Sequence, residues 1–329
     1  MKRGTYVAIA VVLIVIILAS AITYYFFFAP SSPGSGTPIT VAVISGGSIE
    51  DVPVYVGIQQ GYWLHLGLNV TTLPLTGGVP NSQSLVQFTS DSILSAFLDH
   101  FHPPEVVILG TAIEGSDMVL VGPPNSNVTS LSDLKGMSIG ITKFGSLTDV
   151  MGRLLAKQAD LVVGKNLTLV PLGGLSAQVA ALSRNQINAF LWTAEAGYML
   201  QEQGLGKVLF PLSQVISGPW VETGITAMPT YVKDNPTIVS NFVKGYYEAV
   251  RYMQSNPEQA GRDAALFTAV PAPAWTSAIE AVSFSSNGTI GQTQLAGIQN
   301  FGQMLVQLNV IPSVPPLSNI TNTQYVPSS

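Results

Sequence analysis

Two hydrophobic periods organise this chain. Short apolar runs bounded by Gly, Pro, Asn or Ser recur at 39–44, 68–73, 105–109, 118–121, 137–141, 167–170, 187–192 and 208–210, and each reads as a buried strand. Helical spacing fills the gaps at 147–158, 177–182 and 194–203. Asp51 is placed to cap a further helix, with Pro53 in its first turn and Gly61 at its end. Residues 81–101 fit neither period cleanly. Strand–helix alternation of this kind predicts an α/β fold with largely parallel sheets. After Thr226 the pattern turns almost wholly helical. Val239, Phe242, Val243, Tyr246, Val250 and Met253 line one face of 236–254. Leu295, Ile298, Phe301, Met304, Leu305 and Leu308 do the same for 292–309.

Ahead of these elements stands an uncharged run, 5–28, preceded by Lys2 and Arg3. A membrane-spanning helix needs about 20 apolar residues. The run is long enough, and the two cations would hold its start on the inner side. This predicts a transmembrane anchor over 1–28. The alternative is a cleaved signal peptide, because Ala19-Ser20-Ala21 fits a small-residue cleavage site. Cleavage there would leave Ile22 to Phe28 as an apolar new terminus, so the retained anchor is preferred. Both readings place the rest of the chain outside the cytoplasm. Residues 29–37, rich in Pro, Gly and Ser, form a spacer.

Composition narrows the chemistry. The 329 residues are 47% hydrophobic and only 9% charged, with net charge −5. The 13 Lys and Arg are scattered, which excludes nucleic-acid binding through a basic patch. There is no cysteine, hence no disulfide, thiolate metal site or thiol nucleophile. His65, His100 and His102 do not form a metal-binding pattern; neither a metal nor a cofactor is expected. Sequons at Asn69, Asn127, Asn166, Asn287 and Asn319 are candidate glycosylation sites on an exported chain. So few charges also imply stability that is nearly flat from pH 2 to 7, suited to an acidic exterior.

Four segments, in order, resemble one family. Residues 53–70, PVYVGIQQGYWLHLGLNV, carry its opening helix and strand. Residues 133–141, DLKGMSIGI, resemble the entry to its second domain. Residues 180–189, AALSRNQINA, and the helix ending Ser255-Asn-Pro-Glu-Gln-Ala260 complete the set. Together they are similar to the nitrate, taurine and aliphatic-sulfonate binding proteins and their relatives that bind thiamine-pyrimidine precursors. Asn185 stands where the family has Gly, and Asn188 where it has Asp. The resemblance implies the type II periplasmic-binding-protein fold: two α/β lobes joined by two crossings, with the ligand in the cleft. On that analogy lobe one is 38–122 plus 219–329 and lobe two is 123–218. The crossings fall at Gly122-Pro123-Pro124 and Ser217-Gly218-Pro219.

Open α/β sheets bind ligands beyond the carboxyl ends of their strands. The candidate contacts are therefore Gly47 and Ser48 after the first strand, Gly77 and Gly78 after the second, and Lys143, Gly145 and Ser146 in lobe two. Trp192 and Thr193 end a further strand, and Trp220 and Glu222 lie on the returning crossing. Trp192 and Trp220 are expected to flank the ligand; Trp63 and Trp275 read as structural. Ser146 is also a candidate helix cap.

The function implied is solute capture for an ABC importer, with permease and ATPase subunits as partners. The ligand would be a sulfonate-, nitrate- or taurine-like anion or a thiamine-pyrimidine-like heterocycle. Among the mapped loops Lys143 is the one basic candidate, so an anion would rest on amides and hydroxyls. One alternative is a sensory or interaction protein without a transport role. Another is an enzyme like the thiamine-pyrimidine synthases, against which the absence of cysteine argues.

Overall fold

In the computed structural model, residues 36–75, 86–102, 105–216, 219–285 and 290–325 are described. The expected anchor, the expected spacer up to residue 35, Gly77 and Gly78, most of the second crossing and Asn287 lie outside them; Thr37, the last residue of the expected spacer, opens the first strand. Among the described residues no helix is long and apolar enough to cross a membrane.

Two mixed sheets of five strands each define the two lobes. Strands are numbered in chain order. The first sheet has the order β2 (Leu68–Leu75), β1 (Thr37–Ile44), β3 (Phe88–Ser92), β10 (Val221–Ala227), β4 (Val107–Glu114). The second has the order β7 (Thr168–Pro171), β6 (Ser138–Ile141), β8 (Ala189–Thr193), β5 (Met118–Gly122), β9 (Lys207–Pro211). The expected parallel pairing holds for β1 with β2 and β3, and for β6 with β7 and β8. It fails at the strands next to the crossings. β10 runs antiparallel to β3 and β4, and β5 runs antiparallel to β8 and β9.

The pairing of β5 corrects the expected lobe boundary. Residues 118–122 belong to the second sheet, so the first crossing is 115–117 and not Gly122-Pro123-Pro124. An apolar run of four residues reads as a strand without revealing which sheet buries it, and all of β5 is buried.

The helices are α1 (Val52–Gln59), α2 (Leu94–Phe101), α3 (Leu147–Gln158), α4 (Leu175–Ser183), α5 (Ala194–Glu202), α6 (Leu212–Val215), α7 (Pro229–Asp234), α8 (Pro236–Ser255), α9 (Pro257–Ala265), α10 (Ala272–Ala281), α11 (Gln292–Gln307) and α12 (Leu317–Ile320). The ambiguous segment thus resolves into β3 and α2. As expected, the apolar face of α8 is buried in lobe one. Phe242 stacks between Phe88 of β3 and Trp63, whose Nε1 donates to the Phe242 carbonyl at 2.9 Å. Trp275 is also fully buried, its Nε1 donating to Thr268 Oγ1 at 3.1 Å. Asn185 has φ 55°, the left-handed backbone that Asn tolerates and the family's Gly would adopt. Asn188 Oδ1 accepts the Ser138 N–H at 2.8 Å, tying the start of β6.

Candidate functional site

The first crossing runs beside the segment that opens β10. Gly115 N–H donates to the Trp220 carbonyl at 2.7 Å, and Asp117 N–H donates to Glu222 Oε2 at 2.9 Å. This brings Asp117, just before β5, against Glu222, just inside β10. The register of β10 against β4 slips between Val221 and Thr223, a bulge that re-aims the side chains at this point.

Lobe one supplies the next members. The turn after β1 leads into a short 3₁₀ turn, Ile49–Asp51. Asp51 Oδ2 accepts the Ile44 N–H at 2.8 Å, and Ser90 Oγ donates to the Glu50 carbonyl at 2.7 Å. These bonds fix the turn against β1 and β3. Asp51 makes no side-chain cap to α1, contrary to the expectation; the Ile44 amide holds its carboxylate instead.

Lobe two reaches across through Glu195 at the head of α5. Its Oε1 accepts from Thr193 Oγ1 at 2.6 Å, and its Oε2 accepts the Ile49 N–H at 3.1 Å. That second bond joins the lobes directly, and the residues of this junction are buried.

The result is a cluster of carboxyl groups at the centre of the protein. Glu50, Asp51, Asp117, Glu195 and Glu222 are all at most 3% exposed. The Asp117 N–H bond to Glu222 sets the two carboxyls near one another, where their like charges oppose each other. Asp91 of β3 adds its negative field to Glu50 and Asp51. Burial, reinforced by these like charges, pushes Glu50 and Asp117 well above the carboxylate range. Burial likewise raises Asp51, Glu195 to about 8 and Glu222 to about 7. Several oxygens here have no donor: Glu50 Oε2, Asp51 Oδ1, both of Asp117 and Glu222 Oε1. The hydroxyls of Ser48 and Thr223 are buried without a partner too.

The expected site residues divide into groups. Ser48 and Glu222 join this cluster, and Thr193 holds Glu195 in place. Gly47 is buried beside Ser48 with φ 95°; a Cβ there would meet Thr268 Cγ2 at 2.7 Å and the Trp275 ring at 2.9 Å. Trp192 is half-buried on β8, opposite Val119.

Lys143 and Gly145 are exposed. Ser146 gives no side-chain cap to α3. Its hydroxyl donates to the Lys143 carbonyl at 2.7 Å and joins those of Thr142 and Thr148, so it knots its own loop.

Trp220 is placed differently from the expectation. Its ring is 3% exposed and stacks on Phe301 of α11, inside the core. It borders a separate cavity of about 350 Å³ lined also by Glu114, Ser213 and Gln294, and no member of the carboxyl cluster lines that cavity.

Of the sequons, Asn127 and Asn319 are exposed. Asn69 lies within β2, and Asn166 Oδ1 accepts the Val162 N–H at 2.6 Å.

Glu50, Asp51, Asp117, Glu195 and Thr223 were not anticipated. One signal existed. In a chain with only 18 acidic residues, acids set inside apolar stretches, as in Ser116-Asp117-Met118-Val119 and Thr193-Ala194-Glu195-Ala196, need a reason to be there.

The NMT1/THI5-like family model matches residues 49–260, and the chain belongs to that family. No curated protein matches the sequence. Solved structures share the fold. The periplasmic nitrate-binding protein NrtA from Synechocystis PCC 6803 superposes with TM-score 0.72 at 12% identity, over 89% of this chain and 88% of its own. The periplasmic aliphatic sulphonate binding protein SsuA from Escherichia coli gives 0.69 at 16% identity, over 91% and 95%. The desulfurization enzyme DSZB gives 0.63 at 14% identity, over 88% and 97%. The architecture is thus a two-lobed periplasmic-binding fold, shared mainly with solute-binding proteins.

Proposed function

We propose that this protein is the extracytoplasmic solute-binding subunit of an ABC-type importer, capturing a small molecule between its lobes. The observation that carries the reading is the buried polar site assembled from both lobes and the first crossing, with the Ile49–Glu195 bond across it. A site of this kind closes when its ligand touches both lobes, by differential affinity for the closed state. The 5–28 run serves as a membrane anchor, keeping the body at the outer face beside its permease. Exposed Asn127 and Asn319 are the sequons open to glycosylation.

Cross-linking in native membranes, followed by mass spectrometry of the partners, tests the assignment. Recovery of permease and ATPase subunits supports it. Recovery of a signalling kinase in their place, or of no transporter subunit, overturns it in favour of a sensory or interaction protein.

A further inference from the structure

Two of the neighbours named above are a nitrate-binding and an aliphatic sulphonate binding protein. The chemistry of this site is of the opposite sign. We propose that it recognises a small organic cation with several N–H donors, such as a protonated amine, an amidinium or a guanidinium, held by Glu50, Asp117 and Glu222. This rests on the solute-binding reading and names the class of solute.

The geometry carries the argument. Glu50 comes from the turn after β1, Asp117 from the first crossing and Glu222 from the start of β10, and the Asp117 N–H bond to Glu222 Oε2 at 2.9 Å draws the last two together. Four carboxyl groups present five oxygens that no protein donor satisfies, and each group is at most 3% exposed. Buried polar groups are ordinarily hydrogen-bonded, and buried charges are paired. The charged groups acting most strongly on Glu50 are Asp117, Asp91, Asp51 and Glu222, all carboxylates. The one basic residue expected at the site, Lys143, is exposed.

Two independent features point the same way. The Ser48 and Thr223 hydroxyls, 2% and 0% exposed, are unpartnered on the segments that carry Glu50 and Glu222. A hydroxyl accepts as readily as it donates, so neither conflicts with a ligand rich in N–H. The Ile49 N–H, which an anionic ligand would need, is already taken by Glu195.

The same facts choose among cations. Among the described residues no group of three or more His, Asp or Glu side chains is arranged to hold a metal ion. A bare metal gathers its oxygens at one short radius. Donors spread over an amidinium, a guanidinium or an ammonium instead match oxygens spread over several segments. An anion placed here would face the carboxyl cluster with no counter-charge.

The test uses the full chain after extensive dialysis, at pH 7.5 and constant ionic strength. Thermal stability is measured with guanidinium, agmatine and putrescine at millimolar concentration, against nitrate, methanesulfonate and calcium. At least one organic cation raises the melting temperature of the native chain. Its apparent affinity falls at least tenfold in Asp117→Asn and in Glu222→Gln, variants that remove charge at constant shape. Stabilisation by calcium alone, by an anion alone, or by no member of the panel overturns the proposal. So does a cation effect that both variants retain. Stabilisation by an anion alone would leave the importer assignment standing. Loss of the permease cross-link would leave cation binding standing.

Discussion

The cost of ionising buried carboxyls should be visible in the stability of the unliganded chain. Glu195 is raised from an ordinary 4.5 to about 8 and Glu222 to about 7, mainly by burial. A carboxyl whose folded pKa lies above its unfolded value contributes stability that is fully present below the unfolded value. That stability is lost as pH rises through the folded value. Here the window runs from about pH 4.5 to about 8. At roughly 1.4 kcal/mol per unit, each group destabilises the fold by about 3 kcal/mol at pH 7 relative to pH 4.5. The two do not simply add. The charges of Glu222 and Asp117 act on each other, and Glu195 feels Asp117 as well. Glu50, Asp51 and Asp117 shift the same way. Asp133 shifts down through its hydrogen bonds from Thr129 and Ser130, but it acts only below about pH 4 and is fully exposed. For a body of this size about 3 kcal/mol corresponds to roughly 5 °C. Differential scanning calorimetry at pH 4.5, 6, 7 and 8 on the dialysed chain should give a melting temperature that falls as pH rises. The Glu195→Gln and Glu222→Gln double variant should show a much shallower dependence. A flat profile, a maximum at pH 8, or an undiminished slope in the double variant would falsify the reasoning.

Other residues give sharper local tests. Trp220→Ala should cost about 3–5 kcal/mol through the cavity left against Phe301, while ligand affinity per folded molecule stays the same; calorimetry and titration separate the two. Gly47→Ala puts a Cβ at φ 95° against Thr268 and Trp275, so chemical denaturation should show a loss of about 1–3 kcal/mol. Glu195→Ala removes the acceptor for Ile49 N–H, and small-angle scattering should report a larger radius of gyration for the unliganded variant; an equal radius would show that the bond does not hold the lobes together.

Much of the fold was legible because period and punctuation agree. The strand at 39–44 and the helices at 147–158 and 236–254 lie within two residues of their observed ends. The helical pattern after Thr226 was equally plain. What periodicity does not encode is the partner of a strand, which is why β5 was assigned to the wrong lobe. The site was harder. Glycine and tryptophan at strand ends drew attention, yet Trp220 is a core ring and Ser146 ties a loop. The residues that matter are spread over positions 50, 51, 117, 195 and 222, and of these Glu222 alone was named in advance. No local pattern links them; only the first crossing, the start of β10 and the turn after β1 bring them to one point. The low charge fraction was read as a sign of pH-insensitive stability. The structure changes that, because a few carboxyls buried together respond to pH far more strongly than many exposed ones.

The placement of these groups links ligand charge to lobe movement. Asp117 lies on the first connection about which the lobes must turn and Glu222 at the start of β10, and the Asp117 N–H to Glu222 bond ties the two together. Glu50 belongs to the lobe-one turn whose neighbour, Ile49, meets Glu195 of lobe two. An empty closed cleft must therefore hold ionised carboxyls together out of water or take up protons to neutralise them. An open cleft returns them to water, where they ionise without penalty. Unliganded, the protein at neutral pH is biased towards opening by its own site. A cation of the right shape removes that bias, because it supplies charge and donors only when all the segments converge around it. Closure is then governed by the same interaction that confers selectivity, and an anion, which would add to the repulsion, would favour the open form.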